Sequence, residues 1–316
     1  MKILNGIPEI EEYTKNCRSL ITIGNFDGCH IGHQALIRDL LDWPNPRPET
    51  PVIALTFQPH PAEFFGRSGK IYRLQRLADR AASLCLHGAS AVAVLKFDER
   101  IARYKPDEFI QKIIVDLFQT KAIVVGADFR FGAERLGTVK TLQEFGLLGN
   151  YEVKIREAVT MNGEIVSSTR VRESITKEAD FLKVATMLGR PWGFFGTVME
   201  GFKRGRQIGF PTANLDLGEI VRPKSGVYAV RVRLPGAAAK YDGVMNVGTR
   251  PTFDLVEPSI EVHILEQRDL NLYHEDIWVE PVERIRDEIK FNSVDELKRQ
   301  IHLDCAVAKG VLNHER

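Results

Sequence analysis

The sequence predicts a doubly wound α/β domain followed by a small antiparallel β-barrel with a C-terminal helix. Three observations carry this. Short apolar runs rich in Val and Ile alternate with helical patterns through the first half. Near residue 183 the apolar period changes to two. A length of 316 residues suits two cores better than one. The expected domains are residues 1–182 and 183–316.

The runs at 20–24, 52–57, 91–95, 121–125 and 151–155 read as buried parallel strands. Helical patterns near 32–42, 71–87, 106–119 and 138–147 separate them. Pro106 followed by Asp107 and Glu108 fits a helix start, and Gly88 and Gly146 fit helix ends. Ligands on such sheets bind beyond the C-terminal strand ends. A further helix at 178–188 stops at Gly189-Arg190-Pro191.

In the second half, Tyr228, Val230, Val232 and Leu234 share one face of a strand. In the run 259–264 the aliphatics share a face, and Glu261 and His263 point the other way. Strands at 193–199, 240–247 and 276–284 complete a barrel pattern. Ser293 and Glu296 have capping-box spacing, and Val294, Leu297, Ile301 and Ala308 form the apolar stripe of a last helix.

Composition narrows the function classes. Net charge is +1, so there is no broad footprint for nucleic acid. No apolar run approaches membrane-spanning length, and no secretory signal pattern opens the chain. Cys17, Cys29, Cys85 and Cys305 show no Cys-x-x-Cys pairing, which points to free thiols in a cytoplasmic protein. Neither GxxxxGK[ST] nor GxGxxG occurs.

Two segments carry phosphate chemistry. The first is Gly24-Asn25-Phe26-Asp27-Gly28-Cys29-His30-Ile31-Gly32-His33, a strand exit leading into a helix. That geometry aims free backbone N–H groups at an anion, and Gly28 and Gly32 permit close approach. His30 and His33 lie on neighbouring positions of one helix face, placed to stabilise charge developing on an α-phosphate oxygen. Ser167-Ser168-Thr169-Arg170-Val171-Arg172 opens another helix with hydroxyls and two arginines, which also suits phosphate. Thr56 to Pro61 and Val125 to Gly132 leave strands at the ligand edge; their aromatic rings fit either core packing or stacking on a planar ligand.

The second segment runs from Gly201 to Asn214. Gly201, Gly205 and Gly209 make a loop whose amides can cover phosphates, and Lys203 and Arg206 add charge. Pro211 fixes the backbone before Thr212 and Asn214, whose oxygens project to one side of extended chain and suit Mg²⁺. Glu261 is placed to take a proton from an attacking hydroxyl.

The complete histidine string resembles the signature of HIGH-type nucleotidyltransferases, and Ser168-Thr169 with Arg172 resembles their second motif. The Thr56 and Val125 segments are similar to the flavin-adenylylating branch. The run Gly201–Asn214, Gly226 to Val230, Asn246 to Phe253, Glu261-Val262-His263 and Arg286-Asp287-Glu288 resemble riboflavin kinase signatures. From Ile21 to about Asp304 the chain is therefore similar to bacterial bifunctional riboflavin kinase/FAD synthetases.

That resemblance implies riboflavin, FMN and ATP as substrates, FMN and FAD as products, Mg²⁺, and no nucleic-acid or membrane partner. It implies that His30, His33 and Arg172 serve adenylyl transfer, with Gly24, Phe26, Asp27, Gly32, Ser168 and Thr169 at ATP. His60, Asp128 and Phe129 would lie on flavin. In the kinase half it implies ATP on Gly201, Lys203, Gly205, Arg206, Gly209 and Pro211. Metal falls to Thr212 and Asn214, general base to Glu261, and flavin to Arg286, in a mobile loop, and Glu288. Two other readings stay open, a single active half and a flavin-binding regulator without turnover. Departures from the family pattern are Cys29 for Val, Gln58 for Glu, Trp192 for Tyr and His274 for Gly.

Overall fold

The computed structural model describes residues 1–44, 50–66, 71–200, 205, 208–237, 239–251, 256–267 and 271–314, without the side chains of 249–251, 256–258 and 314. Gly201, Lys203 and Arg206 of the kinase segment, and Thr252 and Phe253, lie outside the described residues. The chain forms two compact units, Met1–Ser168 and Thr169–Arg316.

In the first unit, β1 (Ile3–Asn5) and α1 (Gly6–Thr14) precede β2 (Ser19–Ile23), α2 (Ile31–Leu41) and β3 (Val52–Gln58). There follow α3 (Pro61–Phe64), α4 (Leu77–Leu86), β4 (Ala91–Lys96), α5 (Glu99–Ala102) and α6 (Pro106–Phe109), which runs on as a π-helix, Ile110–Leu117. Then come β5 (Thr120–Gly126), α7 (Val139–Gly149), β6 (Glu152–Arg156) and a separate antiparallel pair, β7 (Thr160–Met161) with β8 (Glu164–Ile165). The strands pair in parallel in the order β1-β4-β3-β2-β5-β6. From β2 the chain winds one way through β3 and β4, then crosses to β5 on the other side. The β2/β5 junction is thus the topological switch, where such sheets bind ligands. Both exits there, Gly24 onward and Gly126 onward, belong to the segments singled out above.

Alternation along β2 and β3 splits the core into two layers. Ile21, Ile23, Ile53 and Leu55 face one way with Phe109, Ile113 and Phe118. Leu20, Val52 and Ala54 face the other, against Leu36, Ile37 and Leu40 of α2 and Ala81 and Leu84 of α4.

The expected strands and most helices are present. The helix expected over 71–87 is confined to Leu77–Leu86, because the amides of Leu74 and Gln75 donate to the Asp27 carboxylate instead of entering a helical ladder. The edge strand β1, three residues long, was not expected.

The second unit starts within α8 (Ser168–Glu173) and continues through a π-turn to α9 (Phe181–Leu188). Asp180 caps α9, and Gly189, at φ 69°, ends it. Strands β9 (Phe194–Met199), β10 (Ala213–Asp216), β11 (Gly226–Arg233), β12 (Lys240–Pro251), β13 (Val256–Ile264) and β14 (Asp276–Arg286) close a barrel in the order β10-β13-β12-β11-β14-β9. β11 is buried on both faces. Tyr228, Val230 and Val232 lie on one, while Val227 and Ala229 pack with Ala308 and Leu312 of the C-terminal helix, Val294–His314. The expected helix stripe is displaced: Val294 is exposed, and Ala308, Leu312, Cys305 and Val311 make the contact. The barrel wall meets only the later turns of this helix.

Candidate active sites

The histidine loop is built from buried backbone contacts. Asp27 is 1% exposed, and its carboxylate accepts the Leu74 amide at 3.0 Å and the Gln75 amide at 3.3 Å. Its carbonyl accepts the Ser168 hydroxyl at 2.8 Å, which ties the second motif to the first. Both residues expected at ATP therefore use these groups to fix the loop. Phe26, in the left-handed region at φ 52°, is buried, and its ring meets His33 edge-on at 5.3 Å. A Cβ on Gly32 would meet the His30 ring at 3.0 Å, so glycine is needed there for the histidine.

His30 and His33 stack with ring centroids 3.6 Å apart and planes 22° apart. Both Nδ1 atoms are buried without a partner among the described residues. Burial pushes His30 down from 6.5 to about 4. His33 is held well below 6.5, first by burial, then by His30 and by Arg80. At neutral pH the pair is uncharged. His30 precedes α2 with no side-chain cap, leaving the first-turn amides for an anion.

Around the sheet edge, the His60 ring caps α3 through Nδ1, accepting the Ala62 amide at 3.0 Å. Asp128 is exposed at the exit of β5. Phe129 stacks on Phe131 at 5.5 Å, and Phe131 belongs to the core. Thr169 and Arg172 lie on α8 beyond Ser168.

At the barrel, strand register brings the kinase residues together. Asn214 of β10 and Asn246 of β12 lie opposite Glu261 of β13 on either side, so the three share a face. The Thr212 hydroxyl donates to Glu261 Oε2 at 3.3 Å. His263 Nδ1–H donates to the Pro211 carbonyl at 2.8 Å, pinning the loop to β13. Gly205 and Gly209 shape the cradle. The Phe210 amide donates to the Gly205 carbonyl at 2.8 Å, and a Cβ on Gly205 would lie 2.4 Å from the Phe210 carbonyl oxygen. Gly209 has φ 96°. Hydroxyl, amide and carboxylate oxygens converge here, the hard donors that Mg²⁺ accepts.

Both halves of the chain have known counterparts. Residues 12–170 match the FAD synthetase family and residues 188–312 the riboflavin kinase family. The bifunctional riboflavin kinase/FMN adenylyltransferase of Haemophilus influenzae is 36% identical, over 99% of this chain and 100% of its own. That of Escherichia coli is 37% identical, over 98% and 97%. The chain belongs to the bifunctional riboflavin kinase/FMN adenylyltransferase family. A solved chain from Streptococcus pneumoniae, described as a macrolide-efflux protein, superposes with a TM-score of 0.85 at 30% identity, over 98% of this chain and 99% of that one. Among the described residues no helix is long and apolar enough to cross a membrane.

Within the riboflavin kinase domain, two expected flavin residues are held by the protein itself. Arg286 ends β14, on the strand and not in a loop, and its guanidinium grips Asp304 through two bonds of 2.8 and 2.7 Å. Asp304 is 3% exposed and also accepts from Gln300 at 2.9 Å. The Glu288 carboxylate accepts from Ser225 at 2.8 Å and lies against Gly248, where a Cβ would be 2.0 Å from it. Asp304 and Gln300 carry no motif signal, since in sequence they are polar positions of an amphipathic helix. In the FAD synthetase domain the residue sequence reasoning missed is Arg80. It is 6% exposed on α4, donates to the Asn25 carbonyl at 2.7 Å, and lies close enough to His33 to disfavour its protonation.

Proposed function

We propose that this chain makes FMN and then FAD at two independent sites, residues 183–316 performing the first reaction and residues 1–182 the second. Riboflavin and ATP give FMN and ADP at the barrel. FMN and a second ATP give FAD and pyrophosphate at the histidine loop. Free thiols at all four cysteines suit the reducing cytoplasm in which we expect it to act.

At the barrel, Glu261 takes the proton of the riboflavin 5′-hydroxyl as its oxygen attacks the γ-phosphorus of ATP. Thr212 holds the carboxylate in place, and Gly205 and Gly209 let backbone amides approach the triphosphate. Thr212 and Asn214 would hold Mg²⁺, which neutralises phosphate charge when bound. Arg286 and Glu288 form the flavin side.

At the histidine loop the attacking FMN phosphate is already anionic, so little base catalysis is required. The task is to hold two anions together. The open N-terminus of α2, His30 and His33 donate to the α-phosphate region, and Ser168, Thr169 and Arg172 hold the β- and γ-phosphates. His60, Asp128 and Phe129 contact the flavin. The observation that carries this assignment is the stacked pair of uncharged imidazoles over the start of α2.

Flavin products are followed by chromatography after supplying either riboflavin or FMN with ATP and Mg²⁺. Glu261→Gln should lower FMN formation by about 100- to 10,000-fold and leave FAD formation from supplied FMN intact. His33→Ala should do the reverse. A folded variant in which either change stops both reactions would end the two-site assignment.

A further inference from the structure

Bringing FMN phosphate onto ATP requires fixed positive charge, and the stacked histidines do not supply it. The Arg80 guanidinium lies beside them. Its Nη1 holds the Asn25 carbonyl inside the histidine loop, and its Nε is buried with no partner among the described residues. The opposite charge that bears on it is Asp27, whose carboxylate also accepts the Leu74 and Gln75 amides. Arg73, the other cation that bears on it, is paired with Glu63.

A buried guanidinium with a spare donor is costly to hold unless something anionic completes it. Among the described residues, other polar atoms also lack partners. Gln75 Oε1 is one. Thr22 and Thr56 hydroxyls are others, on the sheet face that Leu20 and Ala54 turn toward α2 and α4. Arginine is suited to the role because it stays protonated when buried and presents a planar fork to phosphate.

We propose that Arg80 is a phosphate-binding catalytic residue of the adenylyl-transfer site, its guanidinium donating to an oxygen of the ATP triphosphate and supplying the fixed positive charge beside the stacked histidines. This rests on the histidine loop being that site. The competing role is a clamp on the Asn25 carbonyl and nothing more.

The test uses the full chain, with riboflavin phosphorylation as an internal control. Arg80→Met should lower kcat/KM for ATP in FAD formation by about 100- to 1,000-fold. Arg80→Lys should restore part of this, because it keeps charge and loses the fork. In the native chain, the Arg80 Nε–H resonance, assigned by its loss in Arg80→Lys, should move when magnesium pyrophosphate is added. An Arg80→Met variant with native kcat and KM overturns the proposal. So does an Nε–H signal that pyrophosphate leaves in place, and this holds even if Arg80→Met does not fold. His33→Ala is measured in parallel: if it too leaves FAD formation untouched, the site assignment falls, whereas loss only in His33→Ala removes Arg80 alone.

Discussion

At the histidine loop Asp27 and His30 are buried, whereas at the barrel Glu261 stays half-buried between two strands. Asp27, Phe26 and Gly32 build a rigid frame around imidazoles that burial keeps neutral. Glu261 instead sits among Thr212, Asn214 and Asn246. The contrast follows from the chemistry. A nucleophile that is already an anion needs preorganised donors and excluded water. A neutral hydroxyl needs a base, and the base needs to stay ionised.

The largest effect is expected where the barrel site depends on absent side-chain volume. Gly205→Ala places a methyl 2.4 Å from the Phe210 carbonyl oxygen and 3.2 Å from the Thr212 hydroxyl. The backbone must move, taking Thr212 away from Glu261. Misplacement of about 1 Å near a reacting group lowers rates roughly 100-fold, so riboflavin phosphorylation should fall by at least about that factor. FAD formation from supplied FMN should be unchanged. Native phosphorylation kinetics in Gly205→Ala would show that the loop does not shape the ATP site.

A smaller effect should appear only at the histidine loop. His30 is depressed from 6.5 to about 4 by burial, and His33 is depressed too, by burial and then by His30 and Arg80. Between those values the unfolded chain binds more protons than the folded one. Stability of the first unit is therefore complete above 6.5 and declines as pH falls toward 4. From pH 7 to 5, His30 alone contributes a loss of about 2 kcal/mol. Hydrogen exchange at the amides of β2 and β5 reads this locally. His30→Gln should flatten the pH dependence; an identical slope in the variant would mean the imidazole is not held neutral.

The same contrast explains what could be read from sequence. Period and turn chemistry located β2 to β6 and the strands β11 to β14, because these signals act within a few residues. Glycine spacing likewise exposed both phosphate loops. What escaped is long-range. Asp27 captures the Leu74 amide 47 positions away and so shortens α4. Arg80, three residues into that helix, reads as an ordinary solvated cation until α4 is laid against the histidine loop. Asp304 is similar, since its partner Arg286 lies 18 positions away at the end of β14. β1 is too short to show a period at all.

The smallest effect concerns the turn just before β14, and it separates strain from function. His274 has φ 67°, in the region that favours glycine, and the family pattern places glycine there. The turn is well bonded: the His274 amide donates to the Val198 carbonyl at 2.8 Å and the Glu275 amide to that of Leu272 at 3.0 Å. The conformation is thus imposed by these backbone hydrogen bonds against the preference of the side chain, at a cost of about 1 kcal/mol. Glycine removes that cost but adds freedom to the unfolded chain, which offsets part of the gain. His274→Gly should therefore stabilise the barrel by about 0.5 kcal/mol, seen as slower exchange at the β9 and β14 amides. Glu261 and Thr212 take no part in this turn, so phosphorylation should keep its kcat. A change in the KM for riboflavin without a change in stability would instead link His274 to flavin entry, and the two sites would then differ in mobility as well as in charge.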